Sequence, residues 1–449
     1  MESVLIREVL DKLPVPELEH SLTTFLSPLL ALLPDRRLQR VVPLAVRGIL
    51  ASETLVVTAI AQTVARTDCA PWPAAKRIYR LLDNPRVPPR LLTKGLYHLA
   101  RATVAQEQPP YLVVAVDPVN FEKPYTQALE GVSTVRKSTP PPLRGKARLT
   151  RGYPAITATV VNTRVPATTY AHWFSYTVAF RSENWEIKRA LRLTRAVFPD
   201  QRLRFVADSG LDDQKIFAWV AAVDGEFVIR ASHLERIVEV ANPRLNRWEV
   251  EQLQDLVDTV PFAATWEVAF THAGKTRQAT VKVGWLQLRI PATQQEVWAI
   301  VAEEYDQEDR AVRTLVLLTN VPIRTEATAR AVYEDWRLRS RIEHGYRFDQ
   351  EQGLDVEDMR VQTLERMQRL FVLVLAAAHF VFHLMDSWPT EAVQWLRKLG
   401  GKLGVGMDRD GPYLVLRGLA ALWKTVTTLT FLVVEPFPRQ LFAPPNRCG

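Results

Sequence analysis

Two short runs decide the fold: YLVVAVD at Tyr111–Asp117 and LRFVAD at Leu203–Asp208. Both are mostly apolar and β-favouring, which is typical of strands that are buried on both faces of a sheet. Each run ends in an aspartate. A carboxylate at the C-terminal end of such a strand stands at the sheet edge where open α/β folds place their sites. The two runs therefore predict one polar edge that carries chemistry.

The segments around these runs predict the elements of an RNase H-like core. Tyr153–Thr163 and about Ala171–Ala179 are β-rich, and Glu183–Val197 has the pattern of a helix. The second run is followed by a helical segment at Leu211–Val223 and a fifth strand at Glu226–Ala231. Three strands, a helix, a strand, a helix and a strand is the order of an RNase H-like α/β fold with a mixed sheet flanked by helices.

The rest of the chain predicts four further regions around that core. Residues 1–108 are mainly helical, and we expect them to bind DNA. The core occupies 109–231, and its second part, with a strong helix at about Glu326–Gln352, occupies 325–386. Between them, 232–324 is a β-rich insertion of short strands that we expect to need a sheet of its own. Residues 387–449 form a C-terminal helical region and a candidate dimerisation surface.

Composition narrows the class of protein. The 449 residues are too many for one compact core, and 47% hydrophobic with 24% charged residues is typical of a globular chain. Two cysteines, Cys69 and Cys448, exclude a disulfide framework, and no signal peptide pattern is evident. We expect a reducing, cytoplasmic setting.

The longest apolar stretch, Phe371–Met385, has 15 residues, whereas a bilayer span needs roughly 20. It predicts a buried helix and no membrane segment. His379 and His383 in this stretch have the i, i+4 spacing of metal ligands, but no third ligand stands near them in sequence. Two core or helix-surface histidines are the favoured interpretation.

A net charge of +8 favours a polyanionic partner such as nucleic acid. Much of that charge lies between Lys123 and Arg151, where seven basic residues stand against one acidic residue, Glu130. Pro140–Pro142 exclude a regular helix or a central strand there. We expect a long exposed loop that contacts phosphates, with a merely solvated loop as the alternative. The basic residues are Lys123, Arg136, Lys137, Arg144, Lys146, Arg148 and Arg151.

A second basic element lies in AAKRIYRLLDN, Ala74–Asn84. Helical spacing places Lys76, Arg77 and Arg80 on one stripe beside apolar residues. Such a helix either lies across a DNA backbone or covers a small core, and the basic character of the chain favours DNA.

The two strand-end acids predict a metal site. In an RNase H-like sheet the first and fourth strands are neighbours, so Asp117 and Asp208 would converge. Two adjacent carboxylates repel each other unless a cation lies between them, and Mg²⁺ accepts carboxylate, phosphate and water oxygens. A further acid on the facing helix would allow two ions.

Glu343 is the candidate for that further acid. Five residues at intervals of three or four share one face of the predicted helix, and they combine an aromatic, two arginines, a carboxylate and an amide. The alternative is a solvated helix face with arginines paired to the glutamate, which would mean nothing for catalysis. The five are Trp336, Arg339, Glu343, Arg347 and Gln350.

These residues resemble the insertion-sequence-four type of DDE transposase, in which a glutamate helix carries Tyr, two residues, Arg, three residues, Glu, six residues and Lys. In WRLRSRIEHGYRFDQ, Arg339 and Glu343 match, whereas Trp336 replaces the tyrosine and Gln350 replaces the lysine. Arg341 and Arg347 lie close enough to replace that lysine. Further likeness lies in FVIRASH after the second acid, in LVLLTN before the glutamate helix, and in AAKRIYRLLDN.

The resemblance implies metal-dependent strand cleavage and transfer of a 3′-OH to target DNA, with no covalent protein–DNA intermediate. Asp117, Asp208 and Glu343 would hold two Mg²⁺ ions, for which Mn²⁺ could substitute. The implied partners are double-stranded DNA, as element ends and target, and a second copy of the chain in a synaptic homodimer. Such an enzyme would be nucleoid-associated. Phosphate contacts are implied for Arg339 and Arg347, and less strongly for Arg230 and His233. Trp336 and Gln350, on the same helix face, are further candidate DNA contacts.

In at least one relative a tryptophan in the strand before the glutamate helix stacks on a flipped base. Leu315 stands at that place here, so either Trp285 or Trp298 takes the role or the base is held in another way. Two other functions also remain open for the same triad: a structure-specific nuclease, and an inactive or domesticated DNA-binding protein of transposase origin.

Overall fold

The computed structural model forms two compact units. We call Met1–Leu99, Phe121–Tyr153 and Gly345–Gly449 the helical unit, and Ala100–Asn120 with Pro154–His344 the sheet unit. The structure describes residues 8, 10 and 12–434, apart from 65–69, 125, 127, 138–147, 243–246, 273–274, 307–309, 342–353, 355 and 402–410.

The helical unit is built around one long apolar helix. Its elements are α1 (Val15–Leu30), α2 (Arg36–Ser52), α3 (Val57–Val64), α4 (Pro71–Leu82), the first part of α5 (Pro89–Glu107), strand β2 (Ser133–Arg136), α10 (Leu364–Ser387), α11 (Thr390–Gly400) and α12 (Pro412–Val434). Asp35 caps α2 by accepting the N–H of Leu38 at 2.9 Å. The buried guanidinium of Arg369 on α10 donates to the carbonyls of Leu82 and Val87, which fastens α10 to the end of α4.

Helix α10 is long and apolar enough to cross a membrane, and α2 with α3 would pass the same test only as one span across a 100° bend. In the structure 72% of the most apolar stretch of α10 is buried by other parts of the protein. The predicted buried helix at Phe371–Met385 is therefore confirmed as a core element. His379 is buried within it, and the ring of His383 stacks on Phe25 with 4.9 Å between centroids.

The sheet unit contains the remaining strands and four helices. The strands are β1 (Leu112–Glu122), β3 (Leu149–Val160), β4 (Ala167–Trp173), β5 (Leu203–Ala207), β6 (Glu226–Arg230), β7 (Ile237–Asn242), β8 (Arg247–Gln252), β9 (Ala264–His272), β10 (Lys275–Ile290), β11 (Gln295–Tyr305) and β12 (Ala311–Thr319). The helices are α6 (Glu183–Val197), α7 (Gln214–Ala222), α8 (Leu253–Thr259) and α9 (Glu326–Arg337).

The core of this unit has RNase H-like topology, as the order of elements predicts. The strands lie in the order β4-β3-β1-β5-β6. β4 runs antiparallel to β3, whereas β1, β5 and β6 are parallel to one another. Helices α6 and α7 connect β4 to β5 and β5 to β6. The parallel strands are almost wholly buried, which explains their continuous apolar sequence.

The expectation that the insertion needs a sheet of its own is wrong. β12 pairs antiparallel with β6, with Leu317 opposite Arg230, and the sheet continues through β11, β10, β7 and β8, with β9 on β10. An open β6 edge would leave a row of backbone N–H and C=O groups without partners, and β12 satisfies them. The insertion thus extends the sheet of the core.

The single helix predicted at Glu326–Gln352 is also corrected. α9 ends at Arg337, and a turn at Leu338 and Arg339 precedes further helical residues at 340–341. The N–H of Arg339 donates to the carbonyl of Trp336 at 3.1 Å, an i to i−3 bond that tightens the chain. The helical spacing that begins at Trp336 is therefore interrupted at Leu338 and Arg339.

Candidate catalytic edge of the sheet

The two predicted aspartates lie side by side at one edge of the sheet unit. The parallel register of β1 and β5 pairs Ala115 with Val206, and Asp117 and Asp208 each lie two residues farther on. Asp208 follows the last residue of β5, as predicted, whereas β1 continues to Glu122 beyond Asp117. The register therefore places these two acids at neighbouring positions of the same sheet edge.

Asp208 is held between two arginines without being hydrogen-bonded to either. Its Oδ1 lies 3.8 Å from Nη1 of Arg230, and its Oδ2 lies 3.8 Å from Nη2 of Arg339. Both separations exceed hydrogen-bond distance. Oδ1 is buried and has no hydrogen-bond partner among the residues that the structure describes. A buried carboxylate oxygen without a donor is costly, and it is the type of oxygen that a hard cation accepts as a ligand.

Arg230 reaches this edge because it is the last residue of β6, the parallel neighbour of β5. Arg339 reaches it from the turn after α9, and its side chain is only 11% exposed. Two of the four residues predicted to contact phosphates are thus placed beside an aspartate, where a phosphate that bridges the arginines would be close to it.

Trp336 contacts both the end of β5 and the side chain of Arg339. The indole N–H donates to the carbonyl of Ala207 at 3.0 Å, which ties α9 to the last residue of β5. The guanidinium groups of Arg313 and Arg339 lie over its ring at 5.4 and 5.7 Å. Trp336 is buried, so it is not available on the surface as the predicted DNA contact. Its position instead sets where Arg339 and Asp208 stand.

Farther along α9, a buried ionic cluster fixes the helix to the sheet. Asp335 pairs with Arg204 of β5 and accepts the hydroxyl of Tyr111 at 2.9 Å. Arg204 also pairs with Glu226 at 2.8 Å. Burial raises the pKa of Asp335, against the opposing pull of Arg204. The sequence analysis missed this cluster, because Asp335 lies more than a hundred residues after its partners.

Asp212 and Arg236 organise the loop beside Asp208, and the sequence analysis missed both. The buried carboxylate of Asp212 accepts the N–H groups of Ser232 and His233 at 2.8 and 3.0 Å and pairs with Arg236. This fastens the FVIRASH segment to the turn after β5. An acid four residues after the strand-end aspartate was the available signal. His233 itself is exposed, with its ring 3.0 Å from Glu235.

A cleft of about 730 Å³ opens beside this turn. It is bounded by the residues after Asp208, the start of α7, the FVIRASH loop and the turn between β10 and β11. Polar and basic groups in its lining include Asn184, Ser209, Lys215, His233 and Arg236. Two acids, Asp212 and Asp213, also line the cleft, whereas neither Asp117 nor Asp208 is among its described lining residues.

The basic stretch of the helical unit departs from the predicted exposed loop. β2 pairs with the start of β3, with Ser133 opposite Gly152, and alternation buries Ser133 and Val135 while exposing Arg136. Lys123 is buried and donates to the carbonyls of Val356 and Met359, so it cannot contact phosphate. Lys137 and Arg148 are exposed, whereas Arg144 and Lys146 lie outside the described residues.

The other predicted contacts fall into three groups. Lys76, Arg77 and Arg80 are exposed on α4, whose opposite face is buried. Trp285 and Trp298 are half-buried on β10 and β11, and Leu315 is fully buried on β12. Arg341 donates to the carbonyls of Val161 and Thr163, so its guanidinium is already engaged and does not replace the missing lysine of the signature.

Glu343, Arg347 and Gln350 lie outside the residues that the structure describes. Within the described part of the chain, no group of three His, Cys, Asp or Glu side chains is arranged to hold a metal ion. Of the three predicted acids, Asp117 and Asp208 lie on neighbouring strands of the described structure.

A comparison with known protein families identifies the family of this chain. Residues 109–380 match the transposase DDE domain, a span that begins just before β1 and includes both aspartates and Glu343. The chain belongs to the transposase DDE domain family. No curated protein matches the chain.

Among solved structures, the chain is similar to the piggyBac transposase in its synaptic complex with hairpin DNA. The two are 8% identical, and the alignment covers 100% of this chain and 86% of that chain with a TM-score of 0.41. A likeness this distant carries no argument about the site.

Proposed function

We propose that this transposase cuts the ends of a mobile DNA element and joins the freed 3′-OH to target DNA, as the insertion-sequence-four type does. Asp117, Asp208 and Glu343 are the metal-binding acids in this proposal. The observation that carries it is the buried, unbonded Oδ1 of Asp208 next to the strand that bears Asp117.

These residues fit divalent metal ions. Neighbouring carboxylates with an unsatisfied oxygen form a hard, anionic donor set, which suits Mg²⁺ and also Mn²⁺. Two ions held by the three acids would activate water and then the 3′-OH for attack, and would stabilise the leaving oxygen.

The arginines of the edge supply the phosphate clamp. Arg230 and Arg339 approach Asp208 from two elements, and each planar guanidinium can donate two parallel hydrogen bonds to a phosphate. Neither arginine is hydrogen-bonded to Asp208. A phosphate can therefore bind both guanidinium groups without breaking a hydrogen bond to that carboxylate. Arg347 and Gln350 extend the same clamp in the proposal.

Recognition of the element ends is assigned to other surfaces. The exposed stripe of Lys76, Arg77 and Arg80 on α4, together with the basic residues around β2 and the insertion, supplies electrostatic contacts to duplex DNA. Cleavage of paired ends takes place in a homodimer.

The test uses the full chain, DNA that carries the inverted repeats flanking its gene, and Mg²⁺. We expect nicking that requires the metal and is lost in Asp117→Asn, Asp208→Asn and Glu343→Gln alike. Asp200→Asn, in the exposed loop before β5, is the matched control and retains activity.

A strand-transfer assay separates this proposal from a nuclease, because only a transposase yields ends joined to an added target duplex. Equal cutting in the absence of divalent metal would overturn the proposal, and so would wild-type activity in the acid variants.

A further inference from the structure

The outer face of α6 carries a basic and aromatic surface that the catalytic edge does not use. Lys188, Arg189 and Arg192 lie within four residues, one turn after Trp185. They line a groove of about 300 Å³ together with Trp185, Leu193 and Ala196, and none of the described residues in this lining carries a carboxylate. The opposite face of α6, from Ile187 to Val197, is buried. We call this groove and its three cations the α6 surface.

The cations of the α6 surface are poorly neutralised by their neighbours. Among the described residues, the one acid that forms an ion pair with these cations is Glu186, which lies 4.0 Å from Arg189. Glu186 is already engaged, because it accepts the hydroxyl of Tyr170 at 2.6 Å and lies 3.0 Å from the ring of His172. A solvated helix face usually alternates charges at i, i+4, and α6 has no acid after Glu186.

The fourth arginine of this helix shows what a structural cation does. Arg195 donates to the carbonyls of Val223 and Gln201 at 2.8 and 2.7 Å, so it ties α6 to the turns that precede β6 and β5. Lys188, Arg189 and Arg192 make no such bonds to backbone in the described residues. Their positive charge is therefore directed to the groove and to solvent.

Aromatic rings hold the surface in place. The guanidinium of Arg181 lies 4.6 Å from the ring centroid of Trp185, and Nζ of Lys188 lies 5.2 Å from that of Trp219 on α7. Trp185 remains 39% exposed. Cations restrained in this way lose less side-chain entropy when they bind an anion.

The α6 surface is continuous with the catalytic edge. Asn184, at the start of α6, donates to the carboxylate of Asp213 at 3.4 Å, and Asp213 caps the helix that follows the Asp208 turn. Asn184 also lines the cleft beside that turn. Asn184 therefore belongs both to the lining of the cleft and to the helix that carries the α6 surface.

We propose that the α6 surface binds the phosphate backbone of target DNA, an inference that rests on the proposed transposase function. Lysine, arginine and tryptophan contact phosphates or stack without reading base edges, so the surface suits DNA of any sequence. Target DNA has to be accepted in that way, whereas element ends are selected by sequence.

The first experiment measures binding of a random-sequence duplex without divalent metal, in a salt titration from about 50 to about 200 mM. Arg189→Gln/Arg192→Gln is expected to weaken binding about tenfold and to reduce the slope of log K against log salt by about 2. Lys398→Gln/Arg417→Gln, which removes two exposed charges from α11 and α12, is the matched control and leaves both values unchanged. Arg189→Lys/Arg192→Lys keeps the charge and is expected to keep the slope.

Unchanged affinity and slope in the Gln double variant would overturn the proposal. A loss confined to duplexes with the inverted repeat would also overturn it, because the surface would then serve the element ends. If the Gln double variant does not fold, Arg192→Gln alone carries the test, with about half the change in slope.

A second readout separates this inference from the proposed function. The Gln double variant is expected to nick element ends at the wild-type rate and to lose joining to target about tenfold. If the wild type never nicks DNA, the proposed function fails, whereas the binding experiment still decides whether the α6 surface holds a duplex.

Discussion

Two carboxylates near opposite ends of β5 are treated in opposite ways. Asp335 meets Arg204 at the start of the strand, accepts the hydroxyl of Tyr111 and is nearly buried. Asp208, just past the other end, stands 3.8 Å from each of two arginines and keeps a buried oxygen that has no hydrogen-bond partner among the described residues. The difference separates an ion pair that holds the fold from an acid to which our proposed function assigns metal binding.

The largest effect should come from Asp208→Asn. We expect the rate of nicking to fall on the order of 10³-fold, because a neutral amide cannot replace a metal-binding carboxylate. The free energy of unfolding should change by less than about 1 kcal/mol, since the carboxylate makes no formed hydrogen bond to either arginine. Rate assays and urea unfolding of the same preparation measure both. A large loss of stability would break the comparison, because Asp208 would then resemble Asp335.

Asp335→Ala should show the reverse pattern. It leaves the hydroxyl of Tyr111 and part of the charge of Arg204 buried without a partner, which we expect to cost about 4 kcal/mol of unfolding free energy. Urea unfolding gives this value. Glu334→Ala, which removes the exposed neighbour that pairs with Arg330, is the control and should cost less than about 1 kcal/mol. Equal stability of the two variants would contradict the structural role of Asp335.

Acid stability sharpens the comparison, because it should not depend on Asp335. The pKa of Asp335 is raised in the fold, so its protonation at low pH costs no stability. Burial lowers the pKa of His379 to about 4 from its ordinary 6.5. The unfolded chain therefore binds a proton that the folded chain refuses, and stability falls as pH drops from 6.5 towards 4.

That loss should reach roughly 3 kcal/mol at pH 4. His379→Leu should remove it, whereas His383→Leu, at a position only partly buried in the same helix, should leave most of it. Thermal unfolding between pH 7 and pH 4 provides the measurement. An unchanged pH dependence in His379→Leu would show that another group controls acid stability.

The smallest effect is expected at Trp336, which follows Asp335 on α9 and donates to the residue before Asp208. Trp336→Phe keeps an aromatic ring but removes the indole N–H that donates to the carbonyl of Ala207. We expect a cost of about 1 to 2 kcal/mol of unfolding free energy. If the bond positions Arg339, kcat for nicking should fall by about tenfold while the Kd for DNA stays constant. A variant that loses stability without any change in kcat would limit Trp336 to a structural role.

The sequence predicted the parts of this arrangement that depend on local pattern. Continuous apolar runs located β1 and β5, and their final aspartates located the edge, because burial on two faces and a polar end leave a readable signal. The RNase H-like order followed from the alternation of strand and helix patterns.

What could not be predicted depends on pairing between distant segments. The Asp335–Arg204 pair joins residues on α9 and β5, and nothing in either segment alone specifies the other. The insertion has the same strand pattern whether it forms a separate sheet or continues through β12 onto β6. Lys123 looked like a phosphate contact because its charge was visible in the sequence, whereas the backbone carbonyls that receive it were not.

The junction of β12 with β6 limits how this protein can be shortened or recombined. Strand β12 belongs to the insertion and also pairs with the edge strand of the core. Residues 232–324 therefore cannot be deleted as a separate module. Deleting it would open the side of β6 that ends in Arg230 and create an unpaired strand edge next to the proposed catalytic edge. Chimaeras that exchange insertions between relatives should therefore carry β12 and β6 as one inseparable piece.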